Sequence, residues 1–335
     1  MNKKLLTVLL MFMLVLIAAG CGGNDTQTAG QKAEGAKYNF RLAEQHPPEH
    51  PCTLGDKKFA ELVTQRTNGR IKIDVFPSSQ LGEEKSVIEQ VQLGAIEFTR
   101  VSSAPLAEFN KSFGVYTLPY IFDNADHMWK YLNGDGQTML DNLEKSKMKG
   151  LAYYDAGARS FYTKKPVKTL ADLAGMKIRV QQSKISMELI SALNASATPM
   201  PSGEIFSALQ TGVIDGAENN AATMMVQNHF QIAKNYILDG HQRVPEVLLI
   251  SKVTWDKLSD EDKKIIKQAA MDSVTTQRAE WDKFENGALT KIKAAGVTVT
   301  EVTDIKPWQA AVKPVIDKYR AEYQSELEAI DQARK

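Results

Sequence analysis

Cysteine and histidine are scarce in this chain of 335 residues, which has two cysteines, Cys21 and Cys52, and five histidines. So few thiols argue against a disulfide scaffold, a multi-cysteine zinc site or an iron–sulfur cluster. An excess charge of one sign is also lacking, because 41 Lys+Arg against 40 Asp+Glu give a formal net charge of +1. Nucleic-acid-binding proteins usually carry a clear basic excess, so this class is disfavoured. With 43% hydrophobic and 24% charged residues, the composition is typical of a soluble globular protein, and the length favours two domains.

Motifs of common enzyme classes are missing as well. The sequence has no G-x-S-x-G nucleophile elbow, no H-E-x-x-H zinc motif and no phosphate-binding P-loop. His46 and His50 are four residues apart, but the three prolines around them exclude a regular helix, which argues against a metal site there. We therefore expect no catalytic residues, no metal and no cofactor.

The first twenty residues have the three parts of a bacterial signal peptide. Lys3 and Lys4 precede an apolar run over 5–17, and small residues then lead into Cys21. This ending resembles the lipobox of bacterial lipoproteins, which implies cleavage before Cys21 and acylation of its sulfur. The alternative is a plain secretory signal with an incidental cysteine. Residues 22–36 contain no large hydrophobic side chain and are predicted, with Cys21, to form a flexible tether.

Hydrophobic periodicity in the remainder predicts an α/β fold. Between residues 38 and 101, apolar alternation typical of strands takes turns with helical patterns, which indicates a parallel sheet covered by helices. A capping box at Ser259 and Asp262 begins a helical pattern of about 36 residues without proline, long enough to span two domains. The segment 308–334 reads as a final amphipathic helix, broken or kinked near Pro314.

Two arginines are the main candidates for chemistry. Arg179 lies inside a predicted strand, between Ile178 and Val180, and Arg159 follows another strand. An arginine buried there needs a partner. That partner is either an internal Asp or Glu, or an external carboxylate that matches the guanidinium fork in two places. Asn219 and Asn220 have a similar ambiguity, because they follow an Asp-Gly turn signal and could also bind hydroxyl groups.

Five short motifs, in order, resemble the solute-binding proteins of TRAP (tripartite ATP-independent periplasmic) transporters. They are Pro77–Gly82 (PSSQLG), Tyr116–Tyr120 (YTLPY), Gly175–Val180 (GMKIRV), Thr198–Met200 (TPM) and Ala208–Asn219 (ALQTGVIDGAEN). The resemblance covers residues 38–320. It implies a periplasmic-binding-protein fold of two α/β domains with mixed sheets, joined by crossing strands and a long helix, that closes over its ligand. The corresponding boundaries are 37–156 with 245–284 for the first domain, and 157–244 with 285–335 for the second.

The same resemblance implies a set of ligand-binding residues. The arginine of the family's K-I-R-V strand, which clamps a ligand carboxylate, corresponds to Arg179, and a second arginine corresponds to Arg159. The family pattern also points to Asn219, His46 and Ser102. A finer resemblance to the branch that binds hexuronates and related sugar acids adds the hydrogen-bonding side chains Gln181, Asn220 and His241. The alternative is a C4-dicarboxylate or keto-acid binder of the same family.

The resemblance further implies an extracytoplasmic, monomeric protein that meets the membrane only through its N-terminal lipid. Its partners would be the small and large integral-membrane subunits of the transporter, and no nucleic acid. Three other functions remain open. They are a secreted sugar-acid enzyme, a structural lipoprotein, and the binding component of an ATP-driven importer.

Overall fold

A computed structural model describes residues 37–335, so the predicted signal peptide, Cys21 and tether lie outside the described residues. The strands, in chain order, are β1 Tyr38–Ala43, β2 Ile71–Phe76, β3 Phe98–Ser102, β4 Met148–Tyr154, β5 Arg159–Thr163, β6 Lys177–Val180, β7 Ser196–Pro199, β8 Gly216–Asn219, β9 Asn235–Gln242, β10 Glu246–Ser251 and β11 Thr298–Glu301. The α-helices are α1 Pro51–Arg66, α2 Glu84–Leu93, α3 Ser103–Leu106, α4 Ala125–Asn133, α5 Gln137–Asn142, α6 Lys184–Ala192, α7 Ile205–Thr211, α8 Ala221–Val226, α9 Lys252–Trp255, α10 Asp260–Ala294, α11 Lys306–Tyr319 and α12 Gln324–Gln332.

These strands form two mixed sheets. The first has the order β2-β1-β3-β10-β4, and the second has the order β11-β9-β5-β8-β6-β7. Strand β1 pairs in parallel with β2 and β3, which confirms the parallel arrangement predicted for this run, whereas β10 is antiparallel to both its neighbours. In the second sheet β5 is antiparallel to β8 and β9. The α/β fold with mixed sheets is therefore confirmed.

Between strands of one sheet and strands of the other, the chain passes at three places. It crosses from β4 to β5, returns from β9 to β10, and crosses again along α10. The early part of α10 buries Ile266 and Ala269 in the core of the first sheet, and the later part buries Trp281 and Ile292 in the core of the second. The side chain of Ser259 accepts a hydrogen bond from the Asp262 N–H at 3.1 Å and caps the helix. The long spanning helix and its capping residue are confirmed.

The C-terminal segment differs from the prediction, because α11 continues through Pro314 and ends at Tyr319. Pro314 is on the exposed face, where water can satisfy the carbonyl that loses its helical donor. The break comes at residues 320–323, where the Tyr323 hydroxyl donates to the Lys111 carbonyl at 3.0 Å and its ring packs into the core of the first sheet. Tertiary packing rather than proline therefore sets the end of this helix, and the predicted break near Pro314 was wrong.

The strands of the first sheet come from residues 38–154 and 246–251, and those of the second from 159–242 and 298–301. The predicted domain boundaries themselves stay a prediction. Within residues 37–335, no helix has both the length and the apolar character needed to cross a membrane.

Candidate ligand-binding site

A small cavity lies between the two sheets, with free space of about 20 Å³, enough for roughly one water molecule. The ends of β1, β6 and β8 contribute side chains to it, as is usual for ligand sites at the carboxyl ends of strands. Its wall contains six of the eight ligand-binding residues predicted from the sequence: His46, Arg159, Arg179, Gln181, Asn219 and Asn220. All six are buried.

Arg179, on β6, is a buried cation without a carboxylate partner. Its side chain is 3% exposed, and its Nε and one terminal nitrogen donate to the Met200 carbonyl at 3.0 and 2.7 Å. No described Asp or Glu oxygen lies within ion-pairing distance of it in residues 37–335. Burial lowers the pKa of Arg179; the charge of the nearby Glu218 carboxylate opposes this, and the positive charge of Arg159 adds to it. A buried guanidinium in this state favours an incoming anion.

Arg159, at the start of β5, is by contrast already paired inside the protein. Its Nε donates to Glu218 Oε2 at 2.5 Å, and its terminal nitrogens donate to Glu218 Oε1 at 3.0 Å and to Asn219 Oδ1 at 3.1 Å. Burial opposes the ionisation of Glu218, but Arg159 and His241 hold the pKa of this carboxyl at about 2. The internal ion pair considered for Arg159 is thus present, so this residue has less capacity left for a ligand carboxylate than Arg179.

His241 does not line the cavity, although the finer resemblance pointed to it. Its Nδ1 lies 2.8 Å from Asp239 Oδ2, and its Nε2 lies 3.6 Å from Glu218 Oε2, an electrostatic contact longer than a hydrogen bond. Burial lowers the pKa of His241, but the two carboxylates outweigh it and raise the value to about 9. The imidazolium lies behind the wall, where it supports the Glu218 carboxylate that holds Arg159.

Ser102 is likewise outside the cavity wall, and it forms a bridge across the site. Gln181 Nε2, from the second sheet, donates to Ser102 Oγ at the end of β3 in the first sheet, at 2.8 Å. This bond holds the two sides of the cavity together.

The side chains of Asn219 and Asn220 use part of their hydrogen-bonding capacity on nearby backbone groups. The Asn220 side chain accepts from Thr223 N–H at 2.7 Å, which caps α8, and donates to the Ala156 carbonyl at 3.0 Å. Asn219 Oδ1 accepts from the Asn220 N–H at 2.9 Å as well as from Arg159. Asn219 ends β8 and Asn220 caps α8, so both positions combine a structural role with a place in the cavity wall.

One protein family matches most of this chain. The DctP family model, described as bacterial extracellular solute-binding protein, family 7, matches residues 42–322. The chain belongs to this family. The TRAP resemblance inferred from the five motifs is thereby confirmed.

Solved structures of TRAP solute-binding proteins share the fold of this family member. One from Pseudomonas putida F1, with bound D-glucuronate, is 42% identical, with a TM-score of 0.86 over 88% of this chain and 96% of that one. Another from Xanthobacter autotrophicus Py2, with bound β-D-galacturonate, is 41% identical, with a TM-score of 0.85 over 88% and 98%. The C4-dicarboxylate-binding periplasmic protein DctP of Rhodobacter capsulatus is 31% identical over 81% of this chain and 83% of its own.

Several residues of the DctP-family cavity were not predicted from the sequence. They include Gln45, His50, Cys52, Glu84 and Glu246, all from the side of the first sheet. Cys52 is fully buried, and its side chain borders the cavity. Trp281 both packs in the core of the second sheet and borders the cavity.

A fully buried cation, Arg100, lies next to this part of the wall. It pairs with Glu44, with Glu246 at 2.6 Å and, less closely, with Glu84 at 3.6 Å. Burial and the neighbouring charge of Glu246 raise the pKa of Glu84 to about 7. The sequence carried a weaker signal for this cluster, because Arg100, like Arg179, lies inside a strand and precedes a valine.

Proposed function

We propose that this protein captures a hexuronate, such as D-glucuronate or D-galacturonate, and delivers it to the membrane subunits of a TRAP transporter. The observation that carries the proposal is the buried Arg179 guanidinium, which has no carboxylate partner within the described chain. A ligand carboxylate would complete a two-point ion pair there. The hexuronates held by the two solved relatives each carry one carboxylate, which supports the same ligand class.

The distribution of charge in the cavity favours one carboxylate over two. A C4-dicarboxylate would need a second cation, but Arg159 is neutralised by Glu218 and Arg100 by its own carboxylates. The remaining polar groups of the wall include the amides of Gln181, Asn219 and Asn220. Amides both donate and accept, so they suit the hydroxyl groups of a sugar ring. This is the reason for preferring a sugar acid to the dicarboxylate alternative.

Ligand capture would couple to closure of the two sides of the cavity. The Gln181–Ser102 bond and the burial of Arg179 exist only when both sides meet. A ligand can shift an open–closed equilibrium only by binding one state more tightly, and a hexuronate touching both sides would do so. The closed, loaded protein would then present the surface that the small and large membrane subunits recognise.

We further propose that the protein acts outside the cytoplasm as a lipid-anchored monomer. The family consists of extracellular solute-binding proteins. Acylation at Cys21 would hold the protein at the outer face of the membrane. A Cys21→Ser variant should then be released from the membrane fraction, whereas retention of the variant would exclude this anchor.

A ligand panel tests the proposed function. Purified protein is heated with hexuronates, C4-dicarboxylates and keto acids, and the unfolding temperature is recorded, because a ligand that binds only the folded state raises it. We expect D-glucuronate or D-galacturonate to raise it and to be recovered unchanged. A shift with succinate and none with hexuronates would instead support the dicarboxylate alternative. Consumption of the hexuronate would support an enzyme.

A further inference from the structure

Asp56, on α1, is a buried carboxyl group to which no described residue donates a hydrogen bond. Its side chain is 0% exposed, and both of its oxygens lack a hydrogen-bonding partner within residues 37–335. The polar group that it faces is the carboxyl of Glu44, which follows β1 and lies near enough for a side-chain hydrogen bond. Two ionised carboxylates offer only acceptor atoms, so this bond requires a proton on one of them.

The other contacts of the pair decide which carboxyl group carries the proton. Glu44 Oε1 accepts from the His46 N–H at 2.6 Å and from a terminal nitrogen of Arg100, and Glu44 Oε2 accepts from Arg100 Nε at 2.7 Å. Hydrogen bonds to a carboxylate favour its charged form. Asp56 has no such donor, and burial, with the charge of Glu44, raises its pKa well above the ordinary value. The proton therefore belongs to Asp56, which donates it to Glu44.

The charge balance around Arg100 gives the same answer. Four buried or nearly buried carboxyl groups lie around this one guanidinium: Glu44, Asp56, Glu84 and Glu246. With all four ionised, these five groups would carry a net charge of −3, that is, four negative charges and one positive. Carboxylates that share a buried site disfavour each other's ionisation, so part of this charge has to be neutralised by protons.

The remaining titratable groups near Asp56 do not supply the missing positive charge. Burial raises the pKa of the Tyr154 hydroxyl and of the Cys52 thiol, so both are neutral, and the Tyr154 hydroxyl is 2.8 Å from Ser273 Oγ. The groups presented to Asp56 by each neighbouring element are Glu44 after β1, the apolar Ile71 and Ile73 of β2, Arg100 of β3, Tyr154 of β4, Glu246 of β10, Cys52 of α1 itself and the uncharged Gln277 of α10.

The Asp56–Glu44 pair lies directly behind the cavity wall. The His46 side chain borders the cavity while its N–H holds Glu44, and Glu84 and Glu246 of the same cluster border the cavity too. Each negative charge in this cluster repels an anionic ligand. For two charges on the order of 10 Å apart at an effective dielectric constant of about 20, the repulsion weakens binding by roughly 10-fold.

We infer that Asp56 is a proton-binding site of the folded protein, and that its proton, donated to Glu44, keeps the wall behind the ligand anion from gaining a further negative charge. The part that concerns the ligand rests on the proposed function, whereas the proton itself does not. Because coupling between two bound species is reciprocal, the proton and the ligand anion each strengthen the binding of the other.

The test compares the wild type with Asp56→Asn. Asparagine has the same shape and no charge, and its amide N–H₂ can donate to Glu44 in place of the proton. Above about pH 4 an aspartate of the unfolded chain has lost its proton, whereas folded Asp56 keeps it, so this group makes the folded state less stable as the pH rises. In urea unfolding between about pH 5.5 and pH 8, we expect the unfolding constant of Asp56→Asn to rise less steeply than that of the wild type, by about tenfold per pH unit. The matched control Asp135→Asn, at an exposed aspartate, should keep the wild-type slope.

Two further measurements read the proton and its effect on the ligand. Infrared spectra at about pH 8 should contain the C=O stretch of a protonated carboxyl group that Asp56→Asn lacks and Asp135→Asn retains. Calorimetry at the same pH should give Asp56→Asn an affinity for D-glucuronate within about threefold of the wild type, because the side chain is neutral in both proteins. An ionised Asp56 would instead make the variant bind roughly 10-fold more tightly.

Equal slopes for the wild type and Asp56→Asn, an unchanged infrared spectrum or a tenfold gain in affinity would each overturn the inference. Failure of Asp56→Asn to fold would do so too, because the carboxylate itself would then be required. Stabilisation of the wild type by NaCl over choline chloride at equal ionic strength, lost in Asp56→Asn, would assign the site to a metal cation instead of a proton. Failure of the wild type to bind hexuronates would overturn the proposed function, while the slopes and spectra would still decide whether Asp56 holds a proton.

Discussion

Replacing Arg179 with methionine should abolish most ligand binding while leaving the fold largely intact. Methionine keeps much of the side-chain length but removes every donor. If the ligand carboxylate makes two charge-assisted hydrogen bonds with Arg179, each worth about 1.5–3 kcal/mol, the loss is about 3–6 kcal/mol. That corresponds to a fall in affinity on the order of 10²- to 10⁴-fold.

The ligand-free protein should respond differently. In Arg179→Met the Met200 carbonyl loses both of its donors from Arg179, which should destabilise the fold by about 1–3 kcal/mol. The fold also no longer has to bury a cation without a counterion, which should stabilise it. These effects oppose each other, so we expect stability to change by about 1 kcal/mol or less. The matched control is Arg159→Met, which leaves the buried Glu218 carboxylate without its partner. This substitution should lower the free energy of unfolding by about 3–5 kcal/mol.

Two assays separate these effects. Urea unfolding without ligand should show a clear loss for Arg159→Met and little change for Arg179→Met, and calorimetry with D-glucuronate should show weak or no binding by Arg179→Met. If Arg179→Met is destabilised as much as Arg159→Met, Arg179 is a structural residue. If it binds D-glucuronate with wild-type affinity, the carboxylate is held elsewhere. Either result would refute the reasoning.

Three further predictions concern stability and reactivity. Burial raises the pKa of Glu285 from 4.5 to about 7. Between pH 4.5 and about pH 7 the folded protein therefore binds more protons than the unfolded chain, and its stability falls as the pH rises through this range. Glu285→Gln should remove one proton from this pH dependence in urea unfolding, and an unchanged slope would contradict the shift. A Cβ at Gly55 in α1 would lie 2.8 Å from Gln277 Cβ in α10, so Gly55→Ala should lower the free energy of unfolding by about 1–3 kcal/mol. Gly287, also in α10, has open space around it, so Gly287→Ala should be neutral or stabilising. Equal effects of the two substitutions would rule out the packing argument. The fully buried Cys52, with its raised pKa, should not react with Ellman's reagent until the protein unfolds, and fast labelling of the native protein would show that the cavity opens to it.

Features that depend on local periodicity could be predicted from the sequence. The first three strands and the helices between them follow from short-range apolar patterns, and α10 follows from a proline-free pattern with a capping box at Ser259. Strand β9 was missed, because Asp239-Gly240 reads as a turn. In the structure Gly240 has a φ of 57°, and the pairing register between β5 and β9 shifts next to it, so the dipeptide marks an irregularity within the strand.

Which buried arginine is free for a ligand could not be predicted. From the sequence, either an internal or an external carboxylate could partner Arg159 and Arg179. Only the pairing of β5 with β8, which puts Phe161 opposite Glu218, brings a carboxylate to Arg159 and not to Arg179. The pair is separated by 59 residues, and no local pattern records it. The stacking of His46 on His50 could not be predicted either, because it depends on how the chain turns between β1 and α1.

A crystal structure of the protein grown with D-glucuronate is the most direct test of a carboxylate clamp at Arg179. We expect the sugar acid in the cavity between the sheets, with both carboxylate oxygens about 2.7–2.9 Å from the Arg179 guanidinium. A carboxylate bound at Arg159 or Arg100 instead, with a hydroxyl or water at Arg179, would contradict the proposed function at its central point.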